Sequence, residues 1–150
     1  ISGSGEEHYV REIKALIMEL DIVSQVLFLG WIDDMSLFYR ACDIICIPSR
    51  AEPFGRTAIE AFAVGTPVIA TAVGGLDDII VDGKTGLLAP YGDTTAVTDS
   101  INKLMKSSAL RSKIVINARK VAIEKYHERV YKKEIINLLH QISSDHGMRV

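Results

Sequence analysis

The sequence predicts an α/β fold in which a parallel sheet is covered by helices on both faces. Short apolar runs rich in β-branched residues alternate with stretches of helical periodicity. Glycine, proline or aspartate stands at most junctions between them. Parallel neighbours need crossover connections, and the helical stretches supply them.

From Glu6 to Leu20 the apolar positions Tyr9, Val10, Ile13, Leu16, Ile17 and Leu20 have helical spacing. Val26–Leu29, closed by Gly30, reads as a strand buried on both faces. Asp33 or Asp34 can cap a second helix with Met35, Phe38 and Ala41 on its apolar side. Ile44–Ile47 is a strand stopped by Pro48, and Arg56–Val64 a helix stopped by Gly65. Pro67–Thr71 is strand-like, Asp77–Val81 a short helix before the turn pair Asp82–Gly83, and Gly86–Ala89 the last strand. Three helical stripes follow: Ala96/Val97, Ile101 and Leu104/Met105 behind a cap at Asp93; Leu110, Ile114, Ala118 and Val121/Ala122; and Val130/Tyr131, Ile135, Leu138/Leu139 and Ile142. These stripes are expected to pack in the core or against another domain, and residues from Ser143 to Val150 to fray.

With 150 residues, 48% apolar, 24% charged and a net charge of −2, the chain suits one domain that buries roughly 70% of its extended surface. No basic block suggests a nucleic-acid partner. No apolar run approaches the roughly 20 residues of a membrane span, and no signal-peptide pattern opens the chain. Cys42 and Cys46 cannot build a disulfide framework or a zinc site unaided. Both are expected in the core of a protein in a reduced, cytoplasmic setting. His8, His127, His140 and His146 are scattered and expected at the surface, so no metal site is expected. Ile1–Gly5 reads as the end of a strand entering a glycine turn, Gly3-Ser4-Gly5 being a weak candidate amide nest. Residues 1–150 therefore read as one domain of a longer polypeptide whose earlier strand precedes Ile1.

In such sheets ligands sit beyond the carboxyl ends of the strands. Two strand-to-helix loops lie there, Pro48–Thr57 and Thr71–Asp78. The first runs into a helix near Arg56, where the amides of about Gly55 to Ala58 lack intrahelical acceptors and form an anion site. Gly55 permits close approach and Arg56 adds a positive charge. Glu52 and Glu60, with seven residues between them, flank that site. Carboxylates repel phosphate but accept two hydrogen bonds from a vicinal diol. A phosphate-bearing molecule with polyols on both sides, such as a nucleotide sugar, satisfies both demands. A single glutamate in the first turns of a helix, by contrast, ordinarily complements the dipole or faces water. The second loop offers Gly74-Gly75, where a ligand or a neighbouring loop can press on the backbone, and Asp77 and Asp78 as caps. Trp31 either stacks on a base or covers a strand end.

Pro48-Ser49, the run Glu52 to Ala61, Gly65 to Ala70, Gly74-Gly75 and Asp82 to Leu88 resemble the family-4 retaining glycosyltransferases, specifically their C-terminal, donor-binding, Rossmann-like domain in the two-domain GT-B fold. Phe28 to Trp31 and Tyr39 to Asp43 extend the likeness over nearly the whole chain. The resemblance implies that Glu60 binds ribose hydroxyls and that Glu52, the candidate catalytic residue, binds those of the donor sugar. It places the backbone of Phe54, Gly55, Arg56 and Thr57, with Gly74 and Gly75, at the sugar and diphosphate, and Trp31 beside the base. No metal cofactor is implied. The implied partners are a nucleoside diphosphate sugar and an N-terminal acceptor-binding domain, through which any membrane association would run. The family's Gly-Gly-x-x-Glu departs here to Asp78, and its diphosphate-clamping Arg and Lys would precede Ile1. These 150 residues alone are thus expected not to transfer sugar. A non-catalytic nucleotide-sugar-binding or regulatory module, or an epimerase or phosphorylase of the same fold, is the alternative.

Overall fold

In the computed structural model, residues 1–145 are described apart from Ser4, and the side chains of Tyr131 and of residues 143–145 are also left aside. The centre of the Gly3–Gly5 turn and residues 146–150, with His146 and most of the stretch expected to fray from Ser143, lie outside the described residues; residues 143–145 of that stretch are helical instead. The chain forms two units, Ile1–Phe38 and Tyr39 onward.

In the first unit, helix α1 spans Glu7–Glu19, as its periodicity predicts. Ile17 is its buried residue, whereas Tyr9, Leu16 and Leu20 of the expected stripe are exposed. A single 3₁₀ turn, Val23–Gln25, follows. The strand expected at Val26–Leu29 is not formed. Its backbone instead bonds to the short segment Ile1–Gly3, through the Ile1 amino group on the Leu27 carbonyl (2.8 Å), the Leu29 amide on Ile1 (2.9 Å) and, just beyond, the Gly3 amide on Gly30 (2.8 Å). Leu27, Phe28 and Leu29 are exposed rather than buried on both faces. Lys14 Nζ sits 5.4 Å from the centre of the Phe28 ring.

Helix α2, Met35–Ala41, runs from the first unit into the second. Asp34 caps it, accepting from the Leu37 amide at 2.9 Å. Asp33 instead accepts from Trp31. Ala41 is exposed, and the deeply buried residue of α2 is Tyr39.

The second unit holds the sheet. Strands β1 (Ile45–Ile47), β2 (Val68–Thr71) and β3 (Leu87–Ala89) are parallel and adjacent in that order. The register pairs Cys46 with Ile69 and Ile69 with Leu87, so these three share one face by strand alternation. On that face Ile69 and Leu87 pack with Leu104 and Ile114, from helices α5 (Thr94–Lys106) and α6 (Ser108–Tyr126). Because α5 packs on β2 and β3, Cys46 on the edge strand stays exposed, contrary to the core position expected for it. Cys42 is half-buried after α2. Helix α3, Arg56–Val64, lies between β1 and β2 in the chain and packs on both, burying Ala58, Ala61 and Phe62. Gly65 ends it in the left-handed conformation, φ +89°.

Helix α4 covers Gly75–Ile79, two residues earlier than Asp77–Val81. The Val81 amide is taken by the Thr85 hydroxyl at 2.8 Å, which stops the helix sooner. Asp93 and Ser107 cap α5 and α6 through the Ala96 and Leu110 amides. Arg111 donates to the carbonyls of Leu104 and Met105 across the α5–α6 junction. Helix α7, Glu128–Asp145, carries the third stripe, with Ile135, Leu138, Leu139 and Ile142 exposed on this chain.

Candidate functional site

Both loops singled out in the sequence follow the carboxyl ends of strands. Loop 48–55 leaves β1 and loop 72–74 leaves β2. Thr71, buried at the end of β2, donates its hydroxyl to the Ser49 carbonyl at 2.6 Å and so holds the start of the first loop. Further along, the Gly75 amide donates to the Glu52 carbonyl at 2.8 Å. The glycine pair is what lets the loops approach this closely. A Cβ on Gly74 would lie 2.4 Å from the Glu52 carbonyl oxygen, and one on Gly75 would lie 2.4 Å from that of Phe54. Gly74 also sits at φ +49°. Of the two uses foreseen for this pair, the neighbouring loop accounts for the missing side chains.

At the entrance to α3, Gly55 adopts φ +87° and turns the chain into the helix. Its amide donates to Glu52 Oε1 at 3.0 Å, a carboxylate placed at the positive end of the helix dipole. The Ala58 amide turns back to the Gly55 carbonyl at 3.0 Å. The open amides are therefore fewer than the four-residue stretch suggested: among the described residues, those of Arg56 and Thr57 donate to nothing. Glu52 Oε2 likewise has no hydrogen-bond partner among them.

Glu60 lies on the next turn of α3, its side chain one-third exposed. Oε1 accepts from Arg56 Nε at 2.6 Å and Oε2 from the Tyr39 hydroxyl at 3.0 Å. Glu52 thus accepts from the Gly55 amide and Glu60 from the side chain of the next residue, Arg56, so both carboxylates are tied to the start of α3. Burial, then the hydrogen bond and charge of Glu60, push the Tyr39 phenol up to about 12, against smaller pulls from Thr57 and Arg56. The bond to Glu60 and its charge also raise the Arg56 pKa. The Arg56 side chain is 83% exposed and paired with Glu60, so it is not an unengaged cation over the helix mouth.

Phe54 is exposed and meets Tyr126 edge-on, with ring centres 6.3 Å apart. Asp77 and Asp78 lie in the first turn of α4, both exposed. Neither caps it; Gly74 holds the cap position. Trp31, in the first unit, is 81% exposed and donates to Asp33 Oδ1 at 3.0 Å. His8, His127 and His140 are exposed as expected, and among the described residues no three His, Cys, Asp or Glu side chains gather.

Two residues that matter here escaped sequence reasoning. Thr71 looked like the end of a strand, and Tyr39 is displaced from the stripe chosen for α2. A tyrosine in the last turn of a predicted helix, 21 residues before the glutamate it meets, gives no periodic signal. A cavity of about 350 Å³ lined by Arg40, Asp43, Thr66, Pro67 and Arg111 adjoins the residues that precede β1 and β2, away from both loops.

The sheet and its loops define a class: an α/β domain presenting paired carboxylates around a helix amino terminus at the carboxyl edge of parallel strands. Residues 1–121 match the family Glycosyl transferases group 1, and the chain belongs to that family. An uncharacterized glycosyltransferase of Methanocaldococcus jannaschii, MJ1607, is 34% identical over 141 residues, 92% of this chain and 35% of that protein. The N-acetyl-alpha-D-glucosaminyl L-malate synthase of Bacillus anthracis is 36% identical over 83% of this chain and 32% of its own. The chain spans about a third of the length of these relatives. Among solved structures, Anabaena Alr3699/HepE in complex with UDP superposes with a TM-score of 0.89 at 29% identity, covering 93% of this chain and 40% of that one. The C-terminal domain of the group 1 protein LpcC from Francisella tularensis gives 0.73 at 32% identity, covering 81% and 64%. The fold is that of the Rossmann-like C-terminal half of GT-B glycosyltransferases. Among the described residues no helix is long and apolar enough to cross a membrane.

Proposed function

We propose that this chain binds the nucleoside diphosphate sugar donor of a retaining glycosyltransferase, whose acceptor is held by a further, N-terminal domain. The observation that carries the reading is the mouth of α3, where two unpaired amides, Arg56 and Thr57, lie between two carboxylates. The amides and the helix dipole suit the diphosphate. As the sugar–phosphate bond breaks, negative charge grows on the leaving diphosphate, and fixed amide dipoles stabilise it without having to reorganise.

Each carboxylate oxygen has two lone pairs. Arg56 and Tyr39 take one on each oxygen of Glu60, so one remains on each for the two hydroxyls of a ribose diol. Glu52 keeps Oε2 for hydroxyls of the transferred sugar while Oε1 holds the loop. The Anabaena protein was solved with UDP-glucose as well as UDP, which supports a donor of this chemical kind.

Calorimetric titration with UDP, GDP, ADP and their sugars tests the assignment. At least one of them should bind, and Glu60→Ala should weaken it by about 1–3 kcal/mol through loss of a charge-assisted diol contact. Wild-type affinity in that variant overturns the ribose role of Glu60. No binding by any of the panel overturns the whole reading.

A further inference from the structure

We propose that Tyr39 is a positioning residue, fixing the Glu60 carboxylate in the orientation that leaves one lone pair on each oxygen for a vicinal diol. This rests on the assignment of Glu60 to the ribose and adds the element that sets its geometry. The two donors on Glu60 are unequal. Arg56 reaches it from a side chain 83% exposed, and exposed pairs of this kind hold little orientation because both side chains keep their freedom.

Tyr39, by contrast, is 2% exposed and fixed at both ends. Its hydroxyl meets Glu60 Oε2 at 3.0 Å, and its carbonyl accepts the Thr66 hydroxyl at 2.7 Å, Thr66 being buried as well. The chain from the α3–β2 turn through Tyr39 to Glu60 therefore ties the carboxylate to the body of the second unit. A phenol displaced to about 12 stays protonated across the physiological range, so it donates at all times and never presents an anion to the carboxylate. A carboxylate already held in place loses less freedom when the diol arrives, which is the affinity gain of preorganisation.

The test uses whichever of UDP, GDP and ADP binds the wild-type protein most tightly, together with its 2′,3′-dideoxy form. Wild type should favour the ribose form by roughly tenfold or more, the share of two charge-assisted hydrogen bonds. Tyr39→Phe should lose roughly three- to tenfold on the ribose form, for one indirect contact, and leave the dideoxy affinity unchanged. In the Glu60→Gln background it should add nothing further. If Glu60→Gln abolishes the ribose preference while Tyr39→Phe keeps it in full, the positioning role is wrong and the Glu60 assignment stands. If Tyr39→Phe weakens both nucleotides equally, its role is structural support alone and the proposal is overturned. If Glu60→Gln leaves the preference intact, or no nucleotide binds, the underlying assignment fails and the proposal with it. Should Tyr39→Phe not fold, 3-fluorotyrosine labelling of the wild-type chain gives a second readout. The fluorine resonance with the highest ionisation midpoint identifies Tyr39, and it should shift with the ribose form only. No shift, or equal shifts with both forms, overturns the proposal.

Discussion

Replacing Gly75 by alanine isolates the contact that joins the two loops. Gly75 opens α4 in ordinary helical conformation, so alanine meets no backbone strain there and should even favour the helix by its intrinsic preference. The obstacle is space. The new Cβ would stand 2.4, 2.5 and 2.6 Å from the carbonyl oxygen, carbonyl carbon and Cα of Phe54. All three are main-chain atoms, which cannot swing aside as a side-chain tip can. Relief requires the first loop to withdraw, which stretches the 2.8 Å bond from the Gly75 amide to Glu52. Overpacking of this kind costs about 1–3 kcal/mol and a lost hydrogen bond about 0.5–1.5 kcal/mol; against a helix preference of up to about 1 kcal/mol, a net loss of roughly 1–3 kcal/mol is expected. For a chain of this size that is a fall in Tm of roughly 2–12 °C. Urea denaturation followed by circular dichroism measures it, with Gly92→Ala as control. Gly92 has φ +82° and open space around its Cβ position, so only the backbone term, about 1 kcal/mol, applies. A Gly75→Ala protein within about 0.5 kcal/mol of wild type, the scatter of neutral substitutions, would refute the steric argument.

Three further outcomes are expected. Tyr39 has a phenol raised from 10.0 to about 12 in the folded protein, so the stability it contributes is fully present below pH 10 and is lost as pH rises through about 12. Denaturation across that window should show a declining limb that Tyr39→Phe flattens; an unchanged limb in the variant would assign it to other groups. Thr66→Val keeps the volume but removes the buried 2.7 Å bond to the Tyr39 carbonyl, and should cost about 1–3 kcal/mol in the same assay; a neutral result would mean that carbonyl finds another donor. Leu104→Ala, at a fully buried position between sheet and α6, should cost about 2–5 kcal/mol; a loss below 1 kcal/mol would place Leu104 outside the core.

What could be read from the residues was what is encoded locally. Arg56–Val64 with its glycine stop, the three strands of the second unit and the Asp93 cap need only periodicity and terminal chemistry. The misreadings concern partners. Val26–Leu29 is apolar enough for a two-sided strand, but apolarity says nothing of what pairs with it, and among the described residues its long-range backbone bonds go to Ile1–Gly3. Cys46 alternates correctly within β1, yet its exposure depends on where α5 lies, and that helix packs chiefly on β2 and β3. Helix α4 starts at Gly75 because another loop accepts that residue's amide, which no local signal announces. At the mouth of α3, Glu52, Gly55 and Glu60 were legible through spacing and helix polarity. That one oxygen of Glu52 is committed to the loop itself, and that Tyr39 grips Glu60, depend on long-range geometry.

The junction between the loops is made of main chain on both sides, with Glu52 and Phe54 offering carbonyls to the backbone of Gly74 and Gly75. Its geometry is therefore indifferent to what the outward-facing side chains of Arg50, Ala51 and Phe54 happen to be. Those positions form a replaceable veneer on a fixed frame: side chains can be exchanged there without disturbing the junction, while the two glycines tolerate no such drift.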